Sequence, residues 1–166
     1  MKNVQTKVMF VFCLMLLWSC KTSNCSDYDK LTPIKEIPSI EDISGIYKLR
    51  ASDEERLSKT TNYKKEEHSI RINIDSTIVI KGLPNNIAMR GLKENESVQY
   101  SNISGKWSFY KEDNVEGANW ELLLSRDVIS QSPFPDYYFY NLNGRIVLIL
   151  PIGDPDNCDF LLYEKN

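Results

Sequence analysis

Few side chains in this 166-residue sequence stand at spacings that can do chemistry. The one histidine, His68, follows Glu66-Glu67, an arrangement in which a carboxylate can orient an imidazole for general-base or metal-ligand work. No second histidine exists and no cysteine lies near it in the chain, so neither a nucleophile set nor a metal set is completed. His68 therefore reads as a solvated strand end. Asp154, Asp156 and Asp159 alternate along a short loop and offer the oxygen ligands that calcium prefers. Their spacing is tighter than a twelve-residue calcium loop, and no closing glutamate follows at the required distance. Asp and Asn beside Pro155 form turns through side-chain to backbone hydrogen bonds, so a structural turn without metal is expected. No Gly-x-Ser-x-Gly elbow occurs, and carboxylate pairs are too numerous to select a glycosidase site. No cofactor is expected, and an enzyme ranks last among the functional classes.

Aromatic side chains are the remaining candidates. Tyr137-Tyr138-Phe139-Tyr140, with Phe134, Trp107 and Trp120, supply the large rigid contacts that suit a sugar or a protein partner. In a strand, alternation puts Tyr137 and Phe139 on one face and Tyr138 and Tyr140 on the other. The first pair reads as core. The second reads as an outer pair making cross-strand contacts, and it is the candidate exposed aromatic patch.

The elements that must position these residues begin after an N-terminal segment of a different kind. Met1 to Lys7 carries Lys2 and Lys7 and no acid, and every residue from Val8 to Trp18 is apolar. That run is too short for a transmembrane helix of about 20 residues and fits the hydrophobic region of a signal peptide. No alanine precedes Ala51, so the usual small-residue cleavage site is missing. Leu17-Trp18-Ser19-Cys20 stands there instead and resembles the lipobox of bacterial lipoproteins. The resemblance implies a signal peptide over residues 1–19, a lipid-bearing Cys20 as the mature N-terminus, and a partner in the membrane itself. Lys21 lacks the aspartate associated with inner-membrane retention, which leans the expected location in the cell envelope toward the outer membrane.

Removing residues 1–19 takes Lys2 and Lys7 from the 20 basic side chains, leaving 18 against 23 acidic ones and a formal net charge of −5. No basic run forms a footprint for a phosphate backbone, so no nucleic acid is expected. Residues 20–42 are polar, contain Pro33 and Pro38 and show no sustained periodicity, which reads as a tether from the lipidated cysteine. Residues 43–166 read as a single domain.

Within that domain, short β-branched and aromatic runs alternate with turn residues. Eight strands are predicted: Gly45 to Arg50, His68 to Ile74, Thr77 to Gly82, Gly105 to Lys111, Trp120 to Arg126, Asp136 to Leu142, Arg145 to Leu150 and Cys158 to Glu164. Ser52 to Glu67 is a long loop or a short helix. Ile70, Ile72 and Ile74 share one face, and Asn143-Gly144 is the strongest hairpin signal. An antiparallel meander of eight strands rids itself of exposed edges by closing into a small barrel. Arg145 to Leu150 is apolar on both faces after its first residue, so the tether or another strand must cover its outer side.

Gly45-Ile46-Tyr47 at the first strand, repeated as Gly105-Lys106-Trp107, resembles the Gly-x-aromatic start of lipocalin-type barrels. With the lipobox and the eight strands, the chain is similar to small bacterial lipoproteins carrying a lipocalin-like domain. That resemblance implies an all-β, lipocalin-like barrel and, from true lipocalins, a small apolar ligand. Against this, inward Ile, Leu, Trp and Phe in so small a barrel can fill it. Two uses stay open: a non-catalytic interaction module meeting another envelope protein, or a carrier of a small apolar ligand.

Once Cys13 has left with the signal peptide and Cys20 carries lipid, Cys25 and Cys158 remain. In an oxidising compartment an even number of cysteines is the arithmetic of a disulfide, the alternative being two free thiols. Cys20→Ala is expected to leave the precursor unprocessed. Metabolic labelling with a fatty-acid probe checks this, since equal labelling of mutant and wild type would refute lipidation at Cys20.

Overall fold

The computed structural model describes residues 28–60, 62–64, 68–84, 95, 97–111, 120–125, 136–152 and 159–166. Nine strands are described. β1 spans Leu31–Pro33, β2 Gly45–Leu49, β3 Ser69–Ile72, β4 Thr77–Pro84 and β5 Tyr100–Lys111. β6 spans Trp120–Leu124, β7 Tyr137–Leu142, β8 Arg145–Pro151 and β9 Phe160–Lys165. Helix α1 covers Ile40–Ile43 and helix α2 covers Ala51–Ser58. Every consecutive pair from β2 to β9 is antiparallel and hydrogen-bonded, and β2 returns to pair with β9. The result is an eight-stranded antiparallel closed barrel, with β1 added to it.

Inward side chains follow from the two-residue period. Ile70 and Ile72 on β3, Ile78 and Ile80 on β4, Trp120, Leu122 and Leu124 on β6, Tyr137 and Phe139 on β7, and Leu161 and Tyr163 on β9 join one buried cluster. An eight-stranded barrel has an interior just wide enough for such side chains, and here they occupy it. Ile74, predicted on the same face, lies beyond the end of β3 and is 64% exposed, because the chain has already entered the Asp75-Ser76 turn.

The doubly apolar β8 finds the cover that its sequence demands. Leu148 and Leu150 face inward, while Val147 and Ile149 join Leu31, Tyr140, Phe160 and Leu162 in a second, outer cluster. Leu31 belongs to β1, in a stretch that the sequence predicts as tether. β7 accommodates β1 by dividing one edge: Tyr137, Tyr138 and Phe139 pair with β6, whereas Tyr140, Asn141 and Leu142 pair with β1. β6 starts at Trp120 opposite Phe139, so the rest of β7 would otherwise present open backbone groups.

The barrel has two distinct ends. At the turn end lie the Asp75-Ser76 turn, the Asn143-Gly144 turn, the start of β2 and the end of β9. Asn143 and Gly144 both have positive φ, 54° and 81°, as a two-residue hairpin turn of this hand requires. α1 lies at this end too. Ser39 caps it by accepting from the Asp42 N–H at 3.1 Å, and Lys165 Nζ donates to the Asp42 carbonyl at 2.9 Å.

At the opposite end, α2 is fixed to the barrel by a buried carboxylate. Asp53, 1% exposed, sits in the first turn of α2, where a negative charge suits the helix dipole. It accepts from the Leu162 N–H at 3.1 Å, Arg50 Nε at 3.3 Å and an Arg56 guanidinium nitrogen at 3.1 Å. That same nitrogen of Arg56 donates to the Phe160 carbonyl at 3.0 Å. Leu57, fully buried, turns down into the barrel cluster.

Asp53→Ala leaves the Leu162 N–H and two arginines without this acceptor, and its expected cost is about 3 kcal/mol, in the range for breaking a buried charged pair. Urea unfolding measures it against Glu55→Ala, an exposed position on the same helix, which is expected to change stability by under about 0.5 kcal/mol.

Candidate functional site at the helix end of the barrel

The site forms around a defect in β4. Pairing between β4 and β5 slips between Ile80 and Leu83, and Gly82 within this bulge has φ 65°, a conformation that favours glycine. A bulge takes a peptide group out of the ladder, and buried backbone groups need partners. Side chains supply both. The Gly82 N–H donates to Asn102 Oδ1 at 2.9 Å, and the Gly82 carbonyl accepts from His68 Nδ1 at 2.7 Å.

His68 is the residue whose surroundings depart furthest from expectation. It precedes β3 on the inward face and is 3% exposed, not solvated. A carbonyl can only accept, so Nδ1 carries the proton and Nε2 accepts from the Tyr163 hydroxyl at 3.0 Å. Burial pushes the imidazole below its ordinary pKa. The Gly82 hydrogen bond opposes that shift, the Lys48 charge adds to it, and the Glu54 charge opposes it. The ring is thus neutral near pH 7, fixed in one tautomer, with both nitrogens engaged by the protein. Tyr163 is pushed well above the usual phenol range by its own burial, which keeps its proton available for His68.

Aromatic rings extend this polar core toward the surface. Tyr163 stacks at a tilt 5.4 Å from His68, Tyr63 meets His68 edge-on at 6.3 Å, and Tyr100 lies 6.4 Å from Tyr63. Asn62 clamps the backbone of Val98, accepting its N–H at 3.0 Å and donating to its carbonyl. The Tyr100 hydroxyl stands 3.4 Å from Thr60 Oγ1. Asn62, Lys64, His68, Gly82 and Tyr100 line a half-open pocket of about 310 Å³. Its wall combines the Asn62 amide, engaged with Val98, with the Tyr100 phenol, the Lys64 ammonium and the His68 ring.

The other candidates fare differently. Tyr137 and Phe139 face inward and Tyr138 and Tyr140 outward, as alternation predicts. The outer pair is not an open patch: Tyr140 is only 5% exposed and Tyr138 is half-buried, because both belong to the outer cluster that includes Leu31. Asp159, third of the alternating aspartates, is held in an ion pair by Arg56 of α2. Asp154 and Asp156 lie outside the described residues, as do Glu66, Glu67, Cys20, Cys25 and Cys158. Gly82, Asn102, Asp53 and Tyr163 were not singled out by the sequence; the glycine within an apolar strand run was the one available signal of a bulge. No protein-family profile, curated protein or solved structure matches the chain.

Because the folded-state pKa of His68 lies below its unfolded value of 6.5, the unfolded chain takes up the proton first as pH falls. Stability contributed by neutral His68 is therefore full above about pH 6.5 and declines below it, through the depressed folded pKa. Urea midpoints between pH 7.5 and 5 are expected to show this decline in wild type and a flatter profile in His68→Gln. His68→Leu, which strands the Gly82 carbonyl and the Tyr163 hydroxyl, is expected to cost about 2 kcal/mol at neutral pH.

Proposed function

We propose that this chain is a lipid-anchored protein of the bacterial cell envelope that acts as a non-catalytic interaction module, displaying the α2 end of a lipocalin-like barrel to its partner. The observation that carries the reading is the occupied interior. Ile72, Ile78, Ile80, Leu122, Phe139 and Leu161 are each no more than 2% exposed, so recognition is left to the outside of the barrel. The α2 end offers the His68 pocket, which is concave and mixed in polarity, the attributes of a small recognition site. Leu17-Trp18-Ser19-Cys20 supports the lipid anchor, and the eight-stranded meander supports the lipocalin-like class.

A second reading, carriage of a small apolar ligand, draws on Trp107 and Trp120. Their indole N–H groups are buried without an acceptor among the described residues, and a ligand carbonyl or carboxylate would satisfy them.

The photoreactive residue p-benzoylphenylalanine placed at Lys64, on the pocket rim, is expected to form a discrete adduct in the living envelope. The same residue at Arg71, exposed on the barrel wall, is expected to form none. Equal adducts at both positions would remove the α2 end from the proposal. Native mass spectrometry of the detergent-extracted protein decides the second reading, for which a bound mass beyond the anchor is required.

A further inference from the structure

We infer that the turn end of the barrel docks onto the bilayer surface, so that the α2 end with its His68 pocket points away from the membrane. The inference rests on the lipid-anchor reading and deepens it, since an anchor alone leaves the orientation of the body undetermined.

Two independent observations meet at this end. The first is where the chain arrives. β1 opens with Leu31 paired to Leu142, the residue before the Asn143-Gly144 turn, so the N-terminal segment joins the barrel at its turn end. Seven residues separate Cys20 from Tyr28, the first described residue. Their eight Cα-to-Cα steps reach at most about 27 Å when fully extended. A strand of six residues such as β9 is itself about 20 Å long. Holding the far end against the membrane would use up most of that maximum reach along the length of the barrel, whereas holding the turn end there uses little of it.

The second observation is the distribution of exposed apolar side chains. Among the described residues, the large hydrophobics that stand in solvent are Ile37, 69% exposed, Ile74, 64%, and Tyr110, 51%. Ile74 precedes the Asp75-Ser76 turn at the turn end. Tyr110 is the penultimate residue of β5, which runs toward that same end: the Trp107 N–H already donates to the Ser76 carbonyl in the β3–β4 turn. Ile37 lies on the segment that connects β1 to α1 beside the start of β2, while its neighbours Ile34 and Ile40 pack against the barrel core. Three exposed apolar side chains thus share the end where the anchor arrives. An amphipathic tyrosine and two isoleucines suit the interfacial zone of a bilayer, where the hydrophobic part is covered and the hydroxyl stays wet.

Charge does not compete with this arrangement. Asp42, Glu164, Arg145 and Lys165 line a groove at the same end, two acids against two bases, and Lys35 and Glu36 beside Ile37 and Asp75 and Lys111 beside Ile74 and Tyr110 likewise bring both signs, so no single-sign patch attracts or repels anionic headgroups. Docking then depends on apolar contact and on the anchor, and it should persist in high salt.

The test uses the full-length protein in its native membranes, with p-benzoylphenylalanine at Ile74, at Tyr110 and, on the exposed face of α2, at Ser58. Irradiation is expected to add phospholipid masses at positions 74 and 110 and not at 58, with yields unchanged by a high-salt wash. Ile37→Asn is expected to lower the lipid adduct at both turn-end positions. Lipid adducts at position 58 equal to those at 74 would overturn the orientation, and so would adducts at 74 to a second copy of the chain. Release of the wild-type protein from membranes without detergent would refute the anchor itself, a result distinct from a misplaced adduct and equally fatal to the inference.

Discussion

The pairing of β2 with β9 is the constraint on which the rest of the structure depends. Every other pairing within the barrel joins strands consecutive in sequence, whereas Tyr47, Lys48 and Leu49 meet Lys165, Glu164 and Tyr163 across more than a hundred residues. That ladder removes the last open edges of the sheet and fixes the circumference. With eight strands the enclosed space matches the volume of the side chains that alternation points inward. Closure alone does not fill a barrel of this size, which can also hold a small ligand; it is the inward Ile, Leu, Trp, Phe and Tyr side chains that occupy it here. Closure also puts Tyr163 within reach of His68 and Leu162 within reach of Asp53, contacts that span 95 and 109 residues of sequence.

Those two polar groups show how the α2 end is held. Asp53 receives the backbone of β9 and two guanidinium groups, and His68 receives the peptide that the β4 bulge releases. Each satisfies backbone groups near the rim that the strand ladders leave unpaired, and His68 with Gly82 forms the buried part of the pocket wall.

The strands were legible because they are local. Ile70 and Ile72 reveal β3 by their period, and Asn143-Gly144 places the β7–β8 hairpin to the residue. Even the cover over β8 could be anticipated, since Val147 and Ile149 had to face something apolar. The residues that cover it could not, because Leu31-Thr32-Pro33 has no period of its own and becomes a strand only where β7 offers an edge. His68 was misplaced for a related reason. A lone polar residue at a strand entrance is solvated unless distant groups arrive to bond it, and a bulge carbonyl and a phenol from the last strand leave no trace near it in the sequence. Tyr138 and Tyr140 follow the alternation, but their covering was a tertiary event.

The divided edge of β7 has a mechanical consequence. β1 holds only three register pairs, and the eight-stranded ring closes without it. Tension applied from the N-terminal side loads β1 first and peels it from β7 starting at Leu31. The barrel strands, each flanked on both sides, are spared until β1 has gone. Six residues, Ile34 to Ser39, separate that strand from α1, and Ile34 among them is itself packed against the barrel core. β1 can therefore part from β7 without opening the ring, and its return would be favoured because the strand stays joined to the barrel through α1.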